Sequence, residues 1–192
     1  GVVALDKAFV QGLAELAEAE DILLMIDEVQ TGNGRTGELF AYMNHGIRPD
    51  VVTTAKGLGG GLPLGATLLG HKVQDVLGPG SHGSTFGGNP VCCAGALSIL
   101  QRIDRTLLDD VKAKSVYIWD QLSAAPGITG ISGMGLMLGI STEKPAAEVI
   151  ATCRELGVLV LQAKDKVRLL PALNIPWDLL EEAVGIIKQA AV

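Results

Sequence analysis

The spacing of apolar residues predicts helices alternating with short buried strands in the first half of the chain. Residues 4–20 place apolar side chains at helical spacing, with acidic residues on the opposite side, and predict an amphipathic helix. The continuous apolar runs that follow are short and are typical of strands buried on both faces. Glycine-rich loops separate these runs. The predicted elements are strands at 22–26, 48–55 and 66–70, a helix at 38–46 that ends at Gly46, and a helix at 91–103 with Pro90 in its first turn.

The pattern changes character beyond about residue 105. The first part, with its glycine-loop crossovers, predicts an α/β structure with a parallel sheet, and the remainder predicts an α+β layer with a meander-like sheet. We place the boundary inside the long helical stretch near residue 105, which gives domains 1–105 and 106–192. The later elements are a helix at 107–124, a glycine-broken hairpin at 128–142, a helix at 144–157, strands at 158–162 and 166–173, and a helix at 176–192.

The bulk composition narrows the class of protein. The 192 residues are 48% hydrophobic and 19% charged, yet no run reaches the ~20 apolar residues of a membrane helix. We therefore expect apolar surface to be buried against other protein, in an oligomer or within a longer chain of which these residues are a piece. The net charge of −6, without runs of Lys or Arg, argues against nucleic acid and anionic membranes as partners.

Cysteine and histidine usage indicates a reduced, cytoplasmic protein without a metal site. The three cysteines include the adjacent Cys92 and Cys93 and form neither a disulfide framework nor a zinc-binding spacing. The chain opens on an amphipathic helical pattern and not on a secretory leader. His45 and His71 have no metal-ligand spacing, and for the loop residue His82 a structural role is favoured over a catalytic one.

The predicted strand at 22–26 ends in the charged motif "DEVQ", residues 27–30. A carboxylate such as Asp27 at the end of a buried strand is costly unless it meets a cation or a hydrogen-bond donor. A simple turn or helix cap is the alternative interpretation. The next motif, "GNGRTG" at 32–37, formally matches the dinucleotide-binding pattern. It follows the strand only after an intervening segment and precedes a short helix, so we interpret it as a loop.

Lys56 follows the predicted strand "VVTTA" and precedes the glycine-rich "GLGGG". The carboxyl end of an interior strand is where open α/β sheets place their ligands. A lysine at that position has two functional interpretations, a phosphate partner or an amine nucleophile, beside the plain one of a solvated surface residue. A Walker-type loop is excluded because the lysine precedes the glycines and no Ser or Thr follows it.

The glycine-dense stretch "GPGSHGSTFGGNP", residues 78–90, offers hydroxyls and unobstructed backbone N–H groups that suit an oxyanion such as phosphate. Its hydroxyl donors are Ser81, Ser84 and Thr85, and a plain glycine-rich turn is the alternative. A carboxylate at one strand end, a lysine at another and a phosphate-binding loop together suit pyridoxal phosphate. In that interpretation Lys56 forms the Schiff base and the carboxylate pairs with the protonated pyridine nitrogen.

Three quoted motifs carry a resemblance to a known family. "LLMIDEVQTGNGRTGELFAYMNHGIRPDVVTTAKGLGGGLPLGA", "HGSTFGGNP" and "VRLLPALNIPWDLLEEAV" closely resemble the class III, fold-type I aminotransferases, nearest to the acetylornithine aminotransferases. The resemblance implies part of the fold-type I large domain at 1–105, a mostly parallel sheet with helices on both faces, and a C-terminal α+β small domain at 106–192. Family members are longer, and the chain resembles their C-terminal half.

The resemblance also implies roles for individual residues. Lys56 would form the Schiff base and shuttle the proton during transamination, and Arg168 would clamp the substrate α-carboxylate, a task that suits guanidinium. The "STFGGNP" loop would cross the interface of a homodimer with a shared active site, which places Ser84 near substrate. The candidate cofactor-binding residues are Asp27 at the pyridine nitrogen, Glu28 beside it, Val29 on the ring face, Gln30 at the phenolic oxygen, Lys56, and Thr85 at the neighbouring subunit's phosphate.

The leading hypothesis is transfer of an amino group from N-acetylornithine to 2-oxoglutarate in arginine biosynthesis. The alternatives within the family are ornithine, 4-aminobutyrate or lysine aminotransferases. Two alternatives lie outside it. A nucleotide-dependent oxidoreductase built on "GNGRTG" predicts that Lys56 is dispensable. A cofactor-free inactive fragment that only dimerises predicts folding without cofactor chemistry.

Overall fold

Residues 1–192 are all described by the structure, a computed structural model, and they divide into two units. The N-terminal unit comprises Leu5–Leu108, and the C-terminal unit comprises Asp109–Val192 together with Gly1–Ala4. None of the helices combines the length and the apolar character needed to cross a membrane. The N-terminal unit contains α1 (Lys7–Ala19), β1 (Met25–Asp27), α2 (Tyr42–His45), β2 (Val51–Thr54), a one-turn 3₁₀ helix (Lys56–Gly59), β3 (Ala66–Leu69) and α3 (Pro90–Leu100).

Helix α1 begins where the sequence supplies a cap. The Oδ1 atom of Asp6 accepts hydrogen bonds from the backbone N–H groups of Ala8 (2.9 Å) and Phe9 (3.1 Å). The predicted apolar stripe forms, but in this chain only Ala17 of the helix is buried. The larger side chains of the stripe therefore contribute exposed apolar surface, namely Leu5, Phe9, Leu13 and Leu16, at 56%, 58%, 45% and 55% exposure.

The sheet of the N-terminal unit has the order β1-β2-β3. Strands β1 and β2 are parallel, as predicted, with Met25 opposite Val51 and Asp27 opposite Thr53. Strand β3 runs antiparallel to β2, so the prediction of a parallel sheet is wrong for this strand. A parallel connection needs a crossover of a dozen or more residues, usually with a long helix. The connection at 55–65 is shorter and holds only the one-turn 3₁₀ helix, so it reverses the chain direction.

The C-terminal unit is built on a fully antiparallel sheet of order β4-β5-β7-β6. Its core side chains include Val111, Ile118 and Ile140, each with no exposed surface. Burying an aliphatic side chain of this size contributes about 1.5–3 kcal/mol. The elements are α4 (Arg105–Leu122), which starts in the N-terminal unit, then β4 (Ile128–Met134), β5 (Met137–Thr142), α5 (Ala146–Glu155), β6 (Leu161–Ala163), β7 (Lys166–Leu169) and α6 (Trp177–Ala191).

The first residues of the chain pack against the β4–β5 hairpin. Val2 is 5% exposed, and its backbone oxygen accepts a hydrogen bond from the Ser132 hydroxyl at 2.6 Å. Two glycines make room for the valine, because a Cβ added at Gly133 or Gly139 would lie 3.0 Å from a Val2 side-chain atom. This contact explains why Gly1–Ala4 belong to the C-terminal unit.

Several predicted elements are longer than the observed ones, among them those that correspond to β1, α2 and β7. Strand β1 covers only Met25–Asp27 because it begins at the residue that pairs with Val51, the first residue of β2. Helix α2 is a single turn that ends at Gly46, whose φ of 72° is the left-handed conformation of a C-cap. Strand β7 ends at Leu169, two residues before Pro171, which has no N–H for a sheet ladder. The start of α3 is as predicted, with Pro90 as its first residue.

Candidate active site

Asp27 is the last residue of β1 and its side chain is exposed. Its Oδ1 atom accepts a hydrogen bond from the Val29 N–H at 2.8 Å, and the Thr53 hydroxyl lies 3.5 Å from the same oxygen. The turn-cap interpretation is therefore correct for one carboxylate oxygen. A single capped oxygen still leaves the negative charge of the carboxylate at the end of the strand.

Lys56 lies two residues after the end of β2 and opens the 3₁₀ helix. Its side chain is exposed, while its backbone adopts φ 47°, a left-handed conformation that costs a non-glycine residue about 1–2 kcal/mol. The following turn is well anchored, because Leu58 and Gly59 are buried and the Leu58 N–H donates to the Ala55 carbonyl at 3.0 Å. The lysine therefore presents a free side chain from a fixed backbone.

The parallel pairing of β1 and β2 brings the two candidate residues to one edge of the sheet. Neighbouring parallel strands have their carboxyl ends on the same side, and Asp27 is in register with Thr53, three residues before Lys56. Ligands of open α/β sheets bind outside the carboxyl ends of the strands. A carboxylate and a primary amine therefore share one edge of this sheet, the edge at which open α/β sheets generally bind ligands.

Glu28 occupies a different environment from the one expected. Its side chain has no exposed surface, and the carboxylate accepts hydrogen bonds from the Thr31 hydroxyl at 2.5 Å and the Tyr42 N–H at 2.9 Å. Burial, with the neighbouring Glu28 charge as a second cause, raises the pKa of the Tyr42 phenol. Both carboxylate oxygens accept hydrogen bonds within the chain, which favours a structural role for Glu28 over the predicted contact with the cofactor.

The "GNGRTG" segment folds as a compact, mostly buried loop, and the N–H of its first residue, Gly32, donates to the Glu28 carbonyl. Gly34 and Gly37 adopt φ of 89° and 85°, conformations that a side chain would disfavour. The nearest helix after it is the single turn Tyr42–His45, which starts five residues after Gly37. A dinucleotide site requires a long helix directly after the glycines, so the oxidoreductase alternative is not supported by this geometry.

The remaining candidates near Asp27 are Val29, which is half-buried, and Gln30, which is exposed. Ser84 and Thr85 lie in the exposed segment before α3, within the stretch 78–89 that contains neither helix nor strand. No hydrogen bond within this chain connects either hydroxyl to Asp27 or Lys56. The same segment ends at Asn89, whose side chain caps α3 by accepting from two backbone N–H groups.

Arg168 lies on β7 in the C-terminal unit, between Gly139 of β5 and Leu161 of β6. It lines a cavity of about 210 Å³ whose other walls are mainly aliphatic, among them Leu169 and Leu180. The Nε atom is buried and makes no hydrogen bond. A buried guanidinium N–H without an acceptor is a donor available to an anionic group.

Asn33 was missed by sequence reasoning. It lies in the centre of the loop, is 6% exposed, and donates from Nδ2 to the Thr54 hydroxyl at 3.0 Å and the Ala55 carbonyl at 3.2 Å. These contacts join the loop to the residue immediately before Lys56. The one signal in the sequence is an asparagine flanked by glycines, since asparagine tolerates the left-handed conformation found here at φ 56°.

The family of the chain follows from comparison with known proteins. The family model described as aminotransferase class III matches residues 1–191. The chain belongs to the class III aminotransferases. It is 47% identical over 191 residues to the acetylornithine aminotransferase of Haemophilus ducreyi, an alignment that covers 98% of this chain and 49% of that protein.

Solved aminotransferase structures share the fold of this class III chain. The N-acetylornithine aminotransferase from Stenotrophomonas maltophilia superposes with a TM-score of 0.86 at 33% identity, over 96% of this chain and 51% of that one. The ornithine aminotransferase from Toxoplasma gondii, with pyridoxal phosphate at partial occupancy in its active site, superposes with a TM-score of 0.88 at 32% identity. That alignment covers 95% of this chain and 45% of the Toxoplasma gondii chain. The expected family and fold class are confirmed, and the chain spans about half the length of the relatives it matches.

Proposed function

We propose that these residues are part of a pyridoxal-phosphate-dependent aminotransferase that transfers the amino group of N-acetylornithine to 2-oxoglutarate. The observation that carries the proposal is the placement of Asp27 and Lys56 at the carboxyl ends of adjacent parallel strands. Membership of the class III aminotransferases supports the reaction class. Pyridoxal phosphate in the Toxoplasma gondii relative supports the cofactor.

The chemistry of the residues fits this cofactor. The protonated ring nitrogen of the cofactor is stabilised by an anionic partner, and its aldehyde reacts with a primary amine. Its phosphate is bound by hydroxyl or N–H donors. Asp27 offers the anion, Lys56 offers an exposed amine, and Thr85 offers a hydroxyl on an exposed glycine-rich loop. When bound, pyridoxal phosphate supplies an electron sink that stabilises negative charge at the substrate α-carbon.

Each candidate residue near the strand ends has a role in this proposal. Asp27 keeps a proton on the ring nitrogen through its negative charge. Lys56 would hold the cofactor through its amine and would accept the proton that leaves the substrate α-carbon. Val29 would pack on the ring and Gln30 would donate to the phenolic oxygen. Glu28 contributes by fixing the loop behind them.

Arg168 is proposed to bind the α-carboxylate of the amino acid and of the oxo acid. Its buried Nε without an acceptor supports this role, since a guanidinium binds a carboxylate through two parallel N–H donors. Ser84 is proposed to contact substrate from the same loop as Thr85. We also propose that the intact protein is a cytoplasmic homodimer in which that loop serves the neighbouring subunit, consistent with its full exposure here, including 83% for Phe86.

The substrate is proposed from the curated relatives, which are named acetylornithine aminotransferases at 47% and 42% identity. The Toxoplasma gondii structure makes ornithine the second candidate. The test measures the first half-reaction of the intact, cofactor-loaded protein with N-acetylornithine, ornithine and 4-aminobutyrate in parallel. We expect the highest kcat/KM for N-acetylornithine. A higher value for either other amine would replace the substrate, and no amino transfer from any of them would refute the reaction.

A further inference from the structure

The "GNGRTG" loop contacts the backbone that carries Lys56. Asn33 reaches out of the loop, and both atoms that its Nδ2 contacts belong to the two residues before the lysine, Thr54 and Ala55. The loop backbone is itself anchored to the end of β1, because the Gly32 N–H donates to the Glu28 carbonyl at 3.0 Å. The loop backbone next to Asn33 is therefore fixed by a hydrogen bond to Glu28, and the Asn33 side chain binds the residues just before Lys56, here called the lysine segment.

The contact at Ala55 determines the orientation of one peptide group. The carbonyl oxygen of Ala55 accepts from Asn33 Nδ2 at 3.2 Å and from the Leu58 N–H at 3.0 Å. That oxygen belongs to the peptide bond whose nitrogen is the Lys56 N. The amide of Asn33 must present its NH₂ here, since a carbonyl oxygen can only accept hydrogen bonds. Two donors on one oxygen leave this peptide plane little freedom to rotate.

The orientation of the Ala55–Lys56 peptide is important because the next backbone angle, φ of Lys56, lies in the left-handed region. Lys56 adopts φ 47°, and an unrestrained lysine would leave this region for a more populated one. Gly57 lies against the same asparagine, since a Cβ added there would be 3.6 Å from Asn33 Cβ. Asn33 thus hydrogen-bonds to the chain before the lysine and lies beside the residue that follows it.

The side chain of Asn33 also keeps an unsatisfied atom. Its Oδ1 is buried and has no hydrogen-bond partner in this chain. An unpaired buried acceptor costs roughly 1–3 kcal/mol, so stability alone does not explain the residue.

We propose that Asn33 is a positioning residue for Lys56, which fixes the 55–56 peptide and thereby the left-handed backbone that aims the lysine amine. This inference rests on the proposed function only for what the lysine does. It predicts that removing the amide slows the chemistry of Lys56 without weakening substrate binding.

The main test uses Asn33→Gly, which accepts the left-handed conformation and removes only the side chain. Asn33→Asp keeps the shape but directs an oxygen at the Ala55 carbonyl. Asn44→Ala is the matched control, because Asn44 donates to Thr36 and Ala41 nearby without touching the lysine segment. The intact protein is incubated with pyridoxal phosphate and cyanoborohydride, and the rate of adduct formation at Lys56 is followed by peptide mass spectrometry, with the surface residue Lys72 as internal standard.

Both Asn33 variants are expected to slow adduct formation at Lys56 about tenfold, since small misplacements of a reacting group have effects of this order or larger. Lys72 and the Asn44→Ala protein should be unchanged. The kcat should fall with the KM for the amino donor unaltered. Hydrogen exchange in the segment 55–60 should rise in both variants and not in the control.

Two results separate the possible failures. Normal adduct formation at Lys56 and normal exchange at 55–60 in a folded Asn33→Gly protein would overturn the positioning role. Absence of a selective Lys56 adduct in the wild-type protein would instead overturn the proposed function, and the exchange measurement would still decide whether Asn33 holds the segment. If Asn33→Gly does not fold, Asn33→Asp with the same readouts decides the question.

Discussion

Asp27 and Thr53 lie opposite each other in the parallel pair of β1 and β2, with the Thr53 hydroxyl 3.5 Å from Asp27 Oδ1. Because the two strands are parallel, this register places the Asp27 carboxylate at the same edge of the sheet as Lys56, which follows the end of β2. The relationship is set by the backbone ladder and does not depend on the long contact between the two side chains.

Replacing the carboxylate tests the electrostatic role of that edge. Asp27→Asn keeps the shape and the acceptor for Val29 N–H but removes the negative charge. We expect kcat of the intact enzyme to fall about 100-fold, comparable to the loss of a preorganised electrostatic partner elsewhere, while the Lys56 adduct still forms. Thr53→Val is the control and should stay within about twofold of wild type, since a contact of 3.5 Å is weak. A near-normal kcat for Asp27→Asn would reject the role.

The β4–β5 hairpin provides a paired test of glycine. A Cβ at Gly133 would overlap the Met137 carbonyl and lie 3.0 Å from Val2 Cγ1, at a φ of 120° that disfavours side chains. Gly130, in the same strand, has only Ser141 Cβ at 4.0 Å. We expect Gly133→Ala to destabilise by more than about 3 kcal/mol and Gly130→Ala by less than about 1 kcal/mol in thermal unfolding. Equal losses would show that the hairpin relaxes around the added methyl group.

Lys114 is a buried cation with three partners. Its Nζ lies 2.5 Å from Asp110 Oδ2 and 3.4 Å from the Leu173 carbonyl, and 5.9 Å from the centroid of the Trp177 ring. Lys114→Ala should cost about 2 kcal/mol in urea unfolding, below the value for a fully buried pair because Asp110 is 33% exposed. The exposed Lys144→Ala is the control, with less than about 0.5 kcal/mol expected. Equal midpoints for the two variants would contradict the account.

Cys153 predicts a dependence of stability on pH. The thiol is buried, and desolvation raises its pKa above that of the unfolded chain. The contribution of the buried thiol to the free energy of unfolding is complete at pH values below the pKa of the thiol in the unfolded chain. It is lost as the pH rises through the higher pKa of the folded state, because the unfolded state releases its proton first. The difference in urea midpoint between wild type and Cys153→Ala should therefore shrink from pH ~7 to pH ~10. A constant or growing difference would contradict the burial of the thiol.

Local signals in the sequence predicted much of the fold. The position of Pro90 in the first turn of α3 and the end of α2 at Gly46 follow from rules that involve only neighbouring residues. The direction of β3 depends on how the short connection from β2 turns in space, and its apolar pattern is the same for either direction. The pattern therefore identified the strand but not its orientation.

The candidate site was predicted in part for the same reason. Asp27 and Lys56 stand at strand ends that the apolar runs define, so their shared edge follows from a parallel pair. The buried role of Glu28 and the reach of Asn33 to Ala55 depend on how a loop folds back onto the sheet. No periodicity encodes such contacts between residues more than a dozen positions apart.

The central claim is that Lys56 is the amine that holds the cofactor. The most direct measurement is borohydride reduction of the intact protein with pyridoxal phosphate, followed by mapping of the modified peptide and assay of amino transfer. We expect the adduct on Lys56, loss of both adduct and transfer in Lys56→Ala, and retention of both in Lys72→Ala, whose lysine pairs with Glu18 at the surface. A stable adduct on another lysine, or full turnover by Lys56→Ala, would contradict the claim.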